Sequence, residues 1–194
     1  MKKIKNVYNG ESAFIVGELV ACGCQLLRAD ELDEAAKRYN VDNSKLKEIK
    51  DALGSETNWN EALTHESPNV RKEVAKRGVG LDTLVKDKYW MVRAEVARHG
   101  FGLDILVNDE DSDVRREVAK QGYGLDILVN DLSSLVRMEV AEQGFGLETL
   151  VSDPSWLVRF EVARQGFGLD ILVNDEDHTV RREAEKQLKM LTNV

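Results

Sequence analysis

Two cysteines, three histidines and a column of arginines are the residues of this chain whose chemistry could exceed folding. Cys22 and Cys24 stand one residue apart in "ACGC". So close a pair makes a mutual disulfide strained. With no disulfide framework, a reducing cytoplasm is the expected location. Small buried cysteines are the reading these residues favour. His65, His99 and His178 are scattered, and none is spaced to serve a Cys or Ser nucleophile. The Gly-x-Gly elements recur periodically and lead to no phosphate-loop Lys. The expectation is a protein that is not an enzyme, with no catalytic residue, no metal and no cofactor.

The arginines Arg71, Arg93, Arg115, Arg137, Arg159 and Arg181 could bind anions as a stack. An equal supply of acids sits beside them: Asp87, Asp109, Asp131, Asp153 and Asp175 each precede the next arginine by six residues. A buried charge needs a partner, so a structural charge ladder is expected. The glutamates two after each arginine, Glu73 to Glu183, read as a solvated face. The residues between paired glycines, Val79, Phe101, Tyr123, Phe145 and Phe167, could form a ligand platform. Their expected role is to cover the edge of the core.

The elements that position these columns are repeats. Val-Arg occurs at 70–71, 92–93, 114–115, 136–137, 158–159 and 180–181, always 22 residues apart. Five full units run from Glu66 to Asp175, followed by a partial sixth. In "DVRREVAKQGYGLDILVND", Val114 and Val118 share a helical face. Gly122 suits a left-handed helix stop. Leu125, Leu128 and Val129 then mark a second, short helix, of one or two turns or 3₁₀ in type. Asp126 falls in its first turn, where a carboxylate suits unpaired amides. Neither helix can bury its stripe alone, so stacked units must share a core. The expected fold is all-α: an α-solenoid over residues 56–194 after an N-terminal helical region, residues 1–55. A longer helix over 179–191, with Val180, Ala184, Leu188 and Leu191 on one stripe, is expected to close it.

The pattern of Asp, Val-Arg, Glu-Val-Ala, Gly-x-Gly, Leu-Asp and closing Asp resembles the leucine-rich repeat variant family, a relative of HEAT repeats. The resemblance covers residues 66–194, about two thirds of the chain. It implies an α-helix alternating with a shorter 3₁₀-like helix. This chain departs from the family in its shorter unit and in using Gly-x-Gly where the family has proline-rich turns, so its curvature differs. The family includes an iron–sulfur protein, but such clusters require four thiolates, and only two cysteines are present. Some HEAT-like solenoids are DNA glycosylases with basic grooves, unlike this chain.

Differences between units point to a partner. The third unit is polar around its Val-Arg, with Asp111, Ser112, Asp113 and Arg116. Corresponding places hold Tyr89, Trp90 and Met91 in the second unit, Leu132, Leu135 and Met138 in the fourth, and Trp156, Leu157 and Phe160 in the fifth. A repeat that accepts Asp and Arg there does not need apolar side chains to fold. Trp90, Met91, Leu135, Met138, Trp156, Leu157 and Phe160 are therefore a candidate partner-binding patch. The competing reading buries them between units.

Residues 11–28 read as one buried helix, and 30–53 as a helical hairpin resembling a helix-turn-helix. Asp30 and Asn43 or Ser44 serve as caps. Lys45, Lys47 and Lys50 would then be candidate DNA contacts. Residues 1–55 hold 9 Lys+Arg and 9 Asp+Glu, so the remaining 18 and 26 carry the whole net charge of −8. Such acidity disfavours broad nucleic-acid binding. Glu11 and Glu18 interrupt the early apolar run, which argues against a secretory or lipoprotein signal, and no segment is a transmembrane candidate. The chain is expected to be a cytoplasmic, non-enzymatic protein-binding scaffold. Two alternatives are a DNA-binding regulator acting through 30–53 and an acidic inhibitor of a nucleic-acid enzyme.

Overall fold

The computed structural model describes the backbone of residues 2–8, 11–16, 19–22 and 25–28, and residues 62–192 with side chains. The chain divides into two compact units, Met1–His99 and Gly100–Val194.

The first unit opens with β1 (Lys2–Tyr8), β2 (Glu11–Val16), β3 (Leu19–Cys22) and β4 (Gln25–Arg28). They form an antiparallel sheet in the order β1-β2-β3-β4. Phe14 pairs with Lys3 on one side and with Ala21 on the other, and Val20 pairs with Leu27. This corrects the helix expected over 11–28, and with it the all-α expectation for this stretch. Each strand is separated from the next by two residues that include a glycine: Asn9-Gly10, Gly17-Glu18 and Gly23-Cys24. Asn-Gly between apolar segments is a strong hairpin signal. Of the runs of 4 to 7 residues that remain, β1 and β2 carry Ile4, Val7, Tyr8, Phe14, Ile15 and Val16, residue types that suit strands. Cys22 therefore ends a strand instead of sitting in a helix. Cys24 and the proposed helical hairpin 30–53, with Lys45, Lys47 and Lys50, lie outside the described residues.

From Ala62 onward the described chain is helical, in keeping with the all-α expectation there. The first unit continues with α1 (Pro68–Lys76), α2 (Leu81–Leu84) and α3 (Trp90–Arg98). The second unit contains α4 (Leu103–Leu106), α5 (Ser112–Lys120), α6 (Leu125–Leu128), α7 (Ser134–Glu142), α8 (Leu147–Leu150), α9 (Trp156–Arg164), α10 (Leu169–Leu172) and α11 (His178–Thr192). Long helices of 9 residues thus alternate with short ones of 4 until α11, which has 15.

A nine-residue helix is marginal in isolation, so each must be held by packing. In α5, Val114, Val118 and Ala119 are fully buried, and the same positions are buried in α7 and α9. In the second unit α5 packs on α7, α7 on α9 and α9 on α11; in the first, α1 packs on α3. The last residue of each short helix in the second unit, Leu106, Leu128, Leu150 or Leu172, is buried to 1% exposure. Each such leucine contributes roughly 1.5–3 kcal/mol of apolar burial. At the end of α5 the chain turns through Gly122 at φ 70°. The Gly122 N–H donates to Ala119 and that of Tyr123 to Val118, a glycine-terminated helix end. In α11, Val180 and Ala184 are buried as expected, but Leu191 stays exposed.

Candidate interaction surface

The arginine column is consumed by the fold. Arg115 directs Nε and Nη2 at the two carboxylate oxygens of Asp131, sixteen residues on, at 2.6 and 2.8 Å. Its Nη1 donates to the main-chain carbonyl of Asp109, six residues back, at 2.7 Å. Arg137 repeats the arrangement with Asp153 and Asp131, and Arg159 with Asp175 and Asp153. Arg71 pairs with Asp87 in the same way. Each aspartate also accepts the backbone N–H two residues on, at Tyr89, Asp111, Ser133, Ser155 and Asp177, and so shapes the entry to the next long helix. Fork-shaped guanidinium and carboxylate groups match in two places, which leaves these arginines little to offer a free anion. The six-residue spacing seen in the sequence is a carbonyl contact; the ion pair spans sixteen.

Burial alone would raise the Asp131 carboxyl. The hydrogen bond from Arg115, the Ser133 amide and the charges of Arg115 and Arg137 outweigh it and hold the group below the usual carboxylate range. Asp175 is held down first by its hydrogen bond from Arg159.

The glutamate column is not the solvated face expected of it. Glu95, Glu117, Glu139, Glu161 and Glu183 are buried. Long charged side chains cover them: Glu95 pairs with Arg98, Glu117 with Lys120, Glu161 with Arg164 and Glu183 with Lys186, each three residues on. The fourth unit breaks the rule, because the residue three after Glu139 is Glu142. Burial and the Glu142 charge push the Glu139 carboxyl above its ordinary value, against Lys120, Arg116 and Gln143. Glu142 itself pairs with Arg164 at 3.0 Å.

In the candidate patch, Trp90, Leu135 and Trp156 are exposed, while Met91, Met138, Leu157 and Phe160 are half-buried. Trp90 and Met91, of the second repeat, lie on α3 within Met1–His99. The other five lie on α7 and α9, packed neighbours within Gly100–Val194. Leu132, just before α7, is 99% exposed. An open groove along α9 and α11 is lined by Phe160, Arg182, Glu183, Lys186, Lys189 and Met190. Sequence reasoning had not joined Phe160 to this groove, because Arg182, Lys189 and Met190 belong to the partial unit, where the pattern fades.

The histidines do structural work or none. His65 Nδ1 accepts the Ser67 N–H, His99 Nε2–H donates to the Lys76 carbonyl, and His178 is exposed at the start of α11. Among the described residues no group of three His, Cys, Asp or Glu is placed to hold a metal ion. No helix of the described residues is long and apolar enough to cross a membrane.

No family model matches the chain, and neither does any curated protein or solved structure. The functional reading therefore rests on the geometry.

Proposed function

We propose that this chain is a non-enzymatic, cytoplasmic scaffold that docks another protein. The two-helix units of residues 66–194 would stack as an α-solenoid of the leucine-rich repeat variant and HEAT kind. Docking uses the long-helix surface formed by Leu135, Met138, Trp156, Leu157 and Phe160; Trp90 and Met91 are a separate candidate on α3.

One observation carries the reading. Leu135 and Trp156 stay exposed on packed helices, at positions where the third unit has Asp113 and Ser112. Apolar side chains that the fold neither buries nor requires are characteristic of partner surfaces. A groove lined by Phe160 lies along α9, the helix that also carries Trp156.

The test is capture of a host protein by the intact chain and by a Leu135→Ser/Trp156→Ser double variant. Leu135 and Trp156 are 40 and 43% exposed, so the variant is expected to melt somewhat below the parent, and capture is compared at a temperature where both are folded. Loss of capture with the fold intact supports the scaffold; undiminished capture sinks it. Binding to duplex DNA that falls steeply with salt and vanishes in Lys45→Glu/Lys47→Glu would assign the DNA-regulator reading instead. A captured nucleic-acid enzyme, blocked in its reaction, would assign the inhibitor reading.

A further inference from the structure

A second set of apolar side chains stays in solvent, on the short helices. In the second unit Phe101, Tyr123, Phe145 and Phe167 are each exposed. Beside them Ile105, Ile127 and Ile171 are 48, 52 and 57% exposed. These rings, expected to cover the edge of the core, keep 37–41% of their surface in solvent, while the leucine that ends each short helix is buried. Folding does not need the isoleucines: the equivalent residues are Thr83 in the first repeat and Thr149 in the fourth.

The charge on this surface has one sign. Residues 101–108, 123–130, 145–152 and 167–174 each contain one acid, Asp104, Asp126, Glu148 or Asp170, and no Lys or Arg. All four acids are exposed. The cations just upstream, Lys120 and Arg164, are already paired, with Glu117 and with Glu161 and Glu142. The surface is therefore an apolar ladder set in an uncompensated negative field. It repels nucleic acid, and it repels a second copy of itself.

We propose that the short helices α4, α6, α8 and α10 form a docking surface for a cationic amphipathic helix of another protein. Spacing supports a helical occupant. Packed helices stand about 8–10 Å apart, which sets the interval between successive rungs. Two turns of an α-helix advance about 10 Å, so apolar residues at heptad spacing fall in step with the rungs, and lysines or arginines flanking them meet the acids. Helix-in-surface recognition of this kind reads apolar anchors for affinity and charge for orientation and rate.

The test uses the full chain and a labelled synthetic helical peptide with leucines at heptad spacing and lysines on both flanks. A matched peptide carries glutamate at every lysine. The lysine peptide is expected to bind, to weaken as salt rises, and to exceed the glutamate peptide by about tenfold or more. Ile127→Ser/Ile171→Ser is expected to weaken it about tenfold, with an unchanged melting curve. Asp126→Asn/Asp170→Asn leaves every apolar residue in place and is expected to lower affinity and flatten the salt dependence. Equal binding of the two peptides, no binding, or indifference to both variants overturns the proposal. So does a single-stranded oligonucleotide that binds and is lost with Tyr123→Ser/Phe145→Ser, which would make the rings a base-stacking platform.

Discussion

Arg115 and Asp131 meet as a two-point pair across sixteen residues, with side chains 15% and 6% exposed. The pair ties α5 to the turn that starts α7. Removing one member leaves the other charge buried among backbone groups, so Arg115→Ala is expected to cost about 3–5 kcal/mol. Arg115→Met with Asp131→Leu should cost clearly less than the sum of the single changes, because neither charge is then stranded. Urea unfolding followed by circular dichroism gives both numbers. A near-zero cost for Arg115→Ala would show the pair to be idle.

The same pairs set the acid limb of stability. Asp87, Asp131 and Asp175 all titrate below their ordinary range in the folded chain. For a carboxyl lowered on folding, the stabilisation is fully present above the unfolded value, about 3.9. It is lost as pH falls through the lower folded value. Thermal melts should therefore hold level from neutral pH to about 5 on this account and drop below about 4. The drop should shrink in Asp131→Asn, which starts less stable but has less to lose to acid. An unchanged acid limb in that variant would contradict the assignment.

Glu139 works with the opposite sign. Its folded carboxyl is raised by burial and by Glu142, so the folded state holds the proton more tightly than the unfolded chain. Stability is then lost as pH rises through the interval between the unfolded value and the raised folded one. Glu139→Gln keeps the shape and discards the charge. It is expected to melt at a higher temperature than the parent at pH 7 and to lose that advantage at pH 4. A lower melting temperature at pH 7 would show that the charge is needed.

Neighbouring glycines separate two kinds of strain. Gly144 has φ 73° and open space where a Cβ would stand. Gly146 has φ 64°, and its Cβ would lie 2.6 Å from Val129 Cγ2. Gly144→Ala meets only the left-handed backbone penalty, about 1–2 kcal/mol. Gly146→Ala adds a clash with a short branched side chain that cannot swing away. It should be the more destabilising of the two, and Val129→Ala should recover part of the difference when added to it. Denaturation midpoints of the three variants decide the order.

Much of residues 66–175 was legible because one signal repeats. Val114 and Val118 at helical spacing, Gly122 after them and Leu128 beyond fix where each helix lies. The glutamates were misread because charge is ordinarily a surface mark. What hides Glu117 is the aliphatic stem and ammonium of Lys120, a local pairing that hydropathy does not register. The arginine–aspartate link was seen at the wrong distance: Asp109 is nearer to Arg115 in sequence, but its carboxylate shapes the turn at Asp111. The first 28 residues were misread because an apolar run was weighed as a whole, whereas Asn9-Gly10, Gly17-Glu18 and Gly23-Cys24 cut it into pieces too short for a helix. The exposed isoleucines escaped notice because they lie one residue from the buried leucines, and a single turn of helix leaves that boundary ambiguous.

The two reaches of Arg115, Arg137 and Arg159 carry a rule for how this protein can change length. Arg115 touches Asp109 behind it and Asp131 ahead of it, positions that differ by one unit of the sequence. Excising residues 116–137 would bring Asp153 to the place that Asp131 now holds, and the same bonds would form again. A deletion or insertion that is not a whole number of 22-residue units puts the two ends of the arginine out of phase. Copy number is thus quantised: tandem recombination can lengthen or shorten this array one whole unit at a time, without inventing a new contact.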